Sequence, residues 1–417
     1  MKKQIALWSL YDFANSLTIG VFTLYFSQWL VIDNNVADIW YNLIYVGATI
    51  LLIFTAPVTG LIADKTGRKR FFLVITTLLQ LVFLLATSIL VVAFPAHRVT
   101  IMAASLVFMV ANYFYQFTFT FYDSMLPDIA PPRLQGLVSG IGQFGNFTGY
   151  IAGLVITLPL ATGAIYWFGN PGRAQVFLPS VIIFALLMLP VLLFLKVNIQ
   201  PKQIAINLKQ EYKTYFSSFL QFIKLPGMGR YLLAFFFFND ALLTVVNNFP
   251  IFIEQVFKVS DKIKSFIAVG VFATSAVGGL VGGWAADKIG LKKSLLIILS
   301  LWIIIFPLLG ILKSFALFTA LCVVLGILYG ATWAVTRAIM VNLSPADQMN
   351  HAFSHYNLFA RFSTFVGPVA WGLITTLLIH SGPVRYRVAI GSMAVFILIG
   401  LIIVRKVPIN KTLKDSL

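Results

Sequence analysis

The stretch Gly60-Leu61-Ile62-Ala63-Asp64-Lys65-Thr66-Gly67-Arg68-Lys69-Arg70 returns later in the chain as Gly283-Trp284-Ala285-Ala286-Asp287-Lys288-Ile289-Gly290-Leu291-Lys292-Lys293. Gly60, Asp64, Lys65, Gly67 and Lys69 recur at an offset of 223 residues, and Phe13-Ala14-Asn15 recurs as Phe237-Phe238-Asn239 at an offset of 224. Two unrelated motifs whose offsets differ by a single residue indicate a duplicated chain. Each long copy lies between two apolar blocks, where Gly67 and Gly290 permit a tight reversal at positive φ. An acidic residue at such a boundary faces the positive N-terminal end of a neighbouring helix, while nearby cations hold an anionic leaflet. These contacts would hold one side of the molecule shut and release it when the halves rock.

Working outward, hydrophobic residues make up 59% of 417 and charged residues 10%, against roughly 25% charged in a soluble domain. The apolar residues come in blocks long enough to cross a bilayer core as helices, so lipid is the solvent. Twelve segments follow, at 5–31, 40–63, 71–94, 99–123, 136–160, 174–196, 230–256, 265–286, 294–312, 315–343, 351–379 and 387–404. The expected fold is all-α and integral to the membrane: two pseudo-symmetric six-helix bundles, 1–196 and 230–404, a linker 197–229 and a tail 405–417. In the linker, Ile204, Leu208, Tyr212, Tyr215, Phe219, Phe222 and Ile223 recur at helical spacing among Lys202, Lys209, Lys213 and Lys224. That pattern suits an amphipathic helix on the membrane surface.

The net charge of +17 does not point to nucleic acid, because the cations cluster between apolar blocks. Twenty of the thirty basic residues fall in the N-terminus, the even-to-odd loops and the tail, eight fall in the opposite loops, and Arg337 and Arg361 lie within segments. The asymmetry puts both termini in the cytoplasm, and the compact loops suit a prokaryotic inner membrane. Met1-Lys2-Lys3 resembles the start of a signal peptide, but Asp12, Asn15 and Ser16 interrupt the apolar run and no cleavage site follows, so the first segment is expected to remain as a membrane helix. Cys322 has no second cysteine to pair with.

With those residues in view, the repeated loops resemble the signature of the major facilitator superfamily, which links helices 2–3 and 8–9. Tyr11-Asp12-Phe13-Ala14-Asn15-Ser16, Phe121-Tyr122-Asp123-Ser124-Met125-Leu126-Pro127-Asp128-Ile129-Ala130 and Phe238-Asn239-Asp240 resemble the branch that contains the fungal vacuolar amino-acid effluxers and their prokaryotic relatives. The resemblance implies a rocker-switch fold with helices 1, 4, 7 and 10 lining a central cavity, and it suggests amino-acid export. The second loop departs from the pattern at Leu291, opposite Arg68, which implies a weaker gate contact there.

Ionisable groups inside a bilayer are functional suspects. Asp12, Asp240 and Arg361 lie seven to ten residues into their segments, about 10–15 Å from the cytoplasmic boundary. Asp12, Asn15 and Ser16 share a face. Asn112, Gln116, Thr120 and Asp123 form a stripe on segment four, and Asp240, Thr244 and Asn247 another on segment seven. Substrate or proton binding is assigned to Asp12, Asn15, Asn112, Gln116, Asp240, Asn247 and Arg361, and gating to Asp64, Arg68, Asp128 and Asp287, with Asp128 set against Arg68. Asp123 and Glu254 fall at segment ends and read as interfacial, and Arg337 is ambiguous. His351 and His355 are four apart, but no nearby carboxylate or cysteine completes a metal site. Gly145, Gly149 and Gly153 make a small-residue ridge for close helix packing.

No phosphate-binding loop, nucleophile elbow, zinc motif or nucleotide fold is present, so the chain reads as no enzyme and needs no cofactor. Its partners are the bilayer, a small-molecule substrate and protons as coupling ion. The first reading is a secondary transporter of a small polar metabolite such as a neutral amino acid or other zwitterion. A lipid, drug or siderophore-type translocator, and a non-transporting membrane receptor, remain alternatives. The topology makes a direct prediction. With Cys322 replaced, cysteines placed at Lys209 and Lys411 should resist a membrane-impermeant thiol reagent in intact cells. Labelling of either from outside would reverse the orientation.

Overall fold

Hydrocarbon offers no hydrogen bonds, so each crossing segment must satisfy its own backbone, and the helix does so locally. The computed structural model describes residues 2–94, 97–167, 171–196, 207–344, 355–356 and 359–409, apart from the side chains at 64, 132, 133, 135–137, 208, 211 and 214. Helix α1 spans Lys2–Gln28 and continues through a π-helical turn, Trp29–Asp33. It is followed by α2 (Asp38–Thr66), α3 (Lys69–Ala93), α4 (Arg98–Ser124), α5 (Pro132–Ala161) and α6 (Phe177–Phe194). A linker helix, Leu208–Lys224, precedes α7 (Met228–Phe257), α8 (Asp261–Ile289), α9 (Leu291–Ile311) and α10 (Phe315–Leu343). The last two are α11 (Val366–Leu377) and α12 (Val384–Arg405). Eleven of these twelve, all but α11, are long and apolar enough to cross a membrane. The chain forms two compact units, Met1–Tyr215 and Phe216–Leu417, divided inside the linker helix.

Segment eleven corrects the expectation of one helix over 351–379. Residues 359–362 are helical, 363–365 are not, and the helix resumes as α11. The reason lies in the sequence Ser363-Thr364-Phe365-Val366-Gly367-Pro368. A proline ring clashes with the carbonyl four residues earlier and has no N–H to give. Pro368 therefore disfavours helix at Thr364, yet it fits within the first turn of a new helix. Proline alone is not sufficient, since Pro57, Pro159, Pro190, Pro250 and Pro307 lie inside unbroken helices. At 363–365 the freed backbone groups find partners on α7, described below.

The repeated loops are tight reversals, with φ of 66° at Gly67 and 89° at Gly290. Their cations do more than face lipid. Arg70 donates to Leu192 O and Leu193 O at the end of α6, at 3.0 and 3.2 Å. Lys292 donates to Val407 O just beyond α12, at 2.8 Å. Arg70 thus meets carbonyls left over at a helix C-terminus, and Lys292 places its charge just past another, where the dipole favours it.

Glycine sets two backbone seams. On α5, a Cβ at Gly149 or Gly153 would overlap the carbonyl oxygens of Phe13 or Leu17 on α1. Between α8 and α10, a Cβ at Gly278 would strike Ile327 O, and one at Gly330 would strike Ser275 O. The first seam follows the ridge expected from sequence, and the second was not singled out there. Gly149→Val and Gly330→Val should each lose about 1–3 kcal/mol to overpacking, read as a lower unfolding midpoint in detergent. Gly270→Ala, whose added methyl meets nothing within 4 Å, should leave the midpoint unchanged or raise it.

Candidate functional site

In the first unit, α1 is tied to three neighbours by polar contacts. Asn15 accepts from Gln80 Nε2 of α3 at 2.9 Å, and the Tyr11 hydroxyl meets Thr77 Oγ1 of α3 at 2.8 Å. Asn146 of α5 donates to Ser16 Oγ at 2.7 Å and to Asp12 Oδ1 at 3.3 Å. Trp8 stacks on Tyr122 of α4 with ring centroids 4.4 Å apart, and the Tyr122 hydroxyl donates to Trp8 O at 3.1 Å. Asp12, at 4% exposure, is therefore a buried carboxylate within an amide and hydroxyl network. Gln80 and Asn146 were not picked out from sequence, and Tyr122 entered only as part of a motif. Gln80 is the only side-chain amide in the third segment and Asn146 the only asparagine inside the glycine ridge. Both signals were available.

On α4, Asn112 and Gln116 are buried. The Asn112 Nδ2 and Thr120 Oγ1 atoms are buried with no hydrogen-bond partner among the described residues. Asp123 lies in the last turn of α4.

In the second unit, α7 reaches across the break in segment eleven. Asn239 Nδ2 donates to Ala360 O at 3.0 Å and to Ser363 Oγ, closing the upstream end. The Asp240 carboxylate closes the downstream end, accepting from Phe365 N at 3.3 Å and Gly367 N at 2.6 Å. Asp240 is 0% exposed. Neighbouring residues on one helix thus satisfy a leftover carbonyl and the amides of a helix N-terminus. One turn on, Thr244 is fully buried and its Oγ1 has no partner among the described residues. Asn247 is half-buried, whereas its neighbour Asn248 is fully buried and donates to Thr244 O at 2.9 Å. Arg361 is half-buried in the run 359–362, just before the break, and Arg337 is half-buried near the end of α10.

Other candidates separate from this group. Glu254 accepts from Lys264, which is 1% exposed and also pairs with Asp261 at 2.6 Å. The sequence put Lys264 in a loop, but α8 begins three residues earlier and draws it inside. His355 packs against Phe219 and Phe222 of the linker helix, with centroids 5.6 and 4.9 Å apart. His351 lies outside the described residues, and among those described no cluster of three ligands could hold a metal.

At the first repeated loop, Asp128 pairs with Lys69 at 2.9 Å rather than with Arg68, which is exposed. The ammonium also donates to Ser124 O at 2.9 Å, so Lys69 fixes the whole corner after α4. Arg68 is the residue before the first turn of α3, whereas Lys69 opens the helix and reaches the corner. The Asp64 side chain lies outside the described residues. At the second loop Asp287 is exposed and Leu291 is buried.

A fold of paired helical units with buried polar faces defines a membrane carrier, and the comparisons agree. A model of the Major Facilitator Superfamily matches residues 9–276 and 231–415. The chain belongs to that superfamily of membrane transporters, which is not an enzyme family. It is 22% identical over 431 residues to the MFS-type transporter YxiO of Bacillus subtilis (strain 168), covering 97% of this chain and 95% of that one. Over 175 residues it is 26% identical to Autophagy-related protein 22 of Pichia angusta, covering 39% of this chain and 31% of that protein. That similarity agrees with the fungal effluxer branch read from the motifs. A bacterial homologue of the human lysosomal transporter Spinster, inward-facing and unoccupied, superposes with a TM-score of 0.73 over 97% of both chains at 14% identity. This last is a likeness of fold alone.

The corner at Lys69 separates two substitutions that charge alone would equate. Lys69→Met removes the ion pair and the bond to Ser124 O, whereas Asp128→Asn leaves the second in place. A hydrogen bond to a charged group contributes about 1.5–3 kcal/mol. Lys69→Met should therefore lower the unfolding midpoint and the transport rate more than Asp128→Asn. Equal effects would remove Ser124 O from the account.

Proposed function

We propose that the protein is a proton-linked secondary transporter, working by alternating access, whose substrate is a small zwitterion such as a neutral amino acid. The observation that carries this reading is that three of the buried polar atoms with no partner among the described residues, Asn112 Nδ2 and Thr120 Oγ1 on α4 and Thr244 Oγ1 on α7, fall on the polar stripes of these two helices. An unmet polar group in an apolar medium is costly, and a protein that keeps several on assigned site faces keeps them for a ligand. Asp12 in the first unit, and Asp240 with Arg361 in the second, supply both signs of charge. Intramembrane carboxylates are the usual proton carriers of pumps and transporters.

The domain reading is of two six-helix bundles, 1–196 and 230–404, joined by a linker and followed by a tail, with both termini in the cytoplasm of an inner-membrane protein. Export is the direction suggested by the motifs shared with the fungal branch. Asp64 and Asp287, with Arg68 and the Lys69–Asp128 pair, serve the gate.

The test is solute-dependent proton flux in proteoliposomes over a panel of neutral amino acids, sugars, nucleosides, lipids and cationic drugs. Neutral amino acids should move with protons. Asp12→Asn should lose proton coupling while retaining exchange, and Arg361→Gln should weaken substrate affinity by tenfold or more, since it removes a charge-assisted partner. Wild-type proton-coupled transport in Asp12→Asn would remove that residue as carrier. Flux of lipid or drug in place of amino acids would transfer the fold to the translocator reading.

A further inference from the structure

The break in segment eleven presents a helix N-terminus inside the second unit, and three observations there converge. The Phe365 and Gly367 amides already hold a carboxylate, that of Asp240. Beside them the Thr244 hydroxyl is fully buried and unpartnered among the described residues. Position 367 is a glycine whose Cβ would overlap Thr244 Oγ1 and crowd Asp240 Oδ1, so the lack of a side chain lets both side chains reach the helix end. Amides at a helix N-terminus, with a hydroxyl donor added, form a receptor for an anion. Asp240 shows by its own contacts that a carboxylate fits.

We propose that the amino end of α11, formed by the Phe365 and Gly367 amides with the Thr244 hydroxyl, is a carboxylate subsite that Asp240 and the carboxylate of a transported solute occupy in turn. The idea rests on the transporter reading above and adds to it a chemical class and a coupling rule. Two carboxylates cannot share these donors, since like charges at contact repel strongly. When a proton from the entry side neutralises Asp240, its hold on the amides weakens and the solute carboxylate takes them, with Thr244 as third donor. On release the solute leaves, Asp240 gives its proton to the exit side, and the carboxylate returns to the amides. One proton thus travels with each carboxylate.

The surroundings keep the exchange simple. Along α11, Val366–Leu377 holds no titratable side chain. The runs 388–404 of α12 and 265–286 of α8 hold none either. Arg361, four residues before Phe365, is the nearest charge in the chain upstream. Tyr231 sits more than two turns earlier on α7 and donates to Thr336 O of α10 at 2.7 Å. Tyr356 packs on Phe235 of α7, and Arg337 adjoins Thr336.

The test compares acids with their amides on the full-length protein in detergent, reading affinity from the rise in unfolding midpoint. The probes are glycine, L-alanine, L-leucine and lactate against glycinamide, alaninamide, leucinamide and lactamide. Acids should bind and amides should not, and acid affinity should fall about tenfold per pH unit as the medium becomes alkaline, the slope for one linked proton. Asp240→Asn should bind the acids with no such slope. Thr244→Val, close to isosteric, should weaken the acids roughly tenfold by losing one hydrogen bond to a charged group. A wild-type slope retained in Asp240→Asn, or amides binding as well as acids, would overturn the subsite. If the amino acids bind and their amides do not, but with no pH slope in the wild type, the subsite fails and the zwitterion reading stands. If lactate alone binds with the expected slope, the subsite stands and the zwitterion reading fails.

Discussion

A helix in hydrocarbon must account for every hydrogen-bonding group it carries, because nothing outside the protein will do so. Most of this chain meets the condition locally: Thr76, Thr87, Thr157 and Thr375 return their hydroxyls to carbonyls of their own turn. Where the ladder is interrupted, a neighbour must supply what is missing. Asn239 and Asp240 stand at a place where both a carbonyl end and an amide end are left over between two helical stretches of a single segment. The break at 363–365 and the polar pair on α7 therefore define each other. Without the pair the break would leave orphaned groups in lipid, and without the break the pair would have nothing to hold.

The duplication visible in the loops has been put to different uses in the two halves. Lys69 binds a carboxylate across a helix corner, whereas its counterpart Lys292 binds a carbonyl past the end of α12. Asn15 and Asn239 are likewise equivalent, and both reach another helix, the first to a glutamine side chain and the second to backbone. Ser16 takes an amide proton from Asn146, while Asp240 at the matching position takes two from the main chain. The positions persist through the duplication, and the chemistry at them has diverged.

Sequence carried the architecture because lipid makes the pattern coarse. Blocks of apolar residues, cations between them and a repeated loop suffice to count helices and mark the reversals at Gly67 and Gly290. The site was legible in part. A carboxylate such as Asp240 announces itself by its cost, but its partners are backbone amides, which no side-chain pattern can reveal. The Lys69–Asp128 pairing required knowing which way the first turn of α3 faces. Lys264 was hidden by an error of a few residues in a helix start, enough to turn a loop lysine into a buried one. Pro368 was the signal for the break, and it stood in plain view among five prolines that break nothing.

The seam between α1 and α5 has a mechanical consequence. Where two backbones touch through glycines, no layer of side chains remains to tilt or repack, so the pair resists shear. Sliding would have to advance a whole small-residue interval, about 6 Å for four residues. Asp12 and Ser16 project from one rail of this pair and Asn146 from the other, beside Gly145 and Gly149. The three polar groups are therefore mounted on a stiff girder, which fixes their spacing.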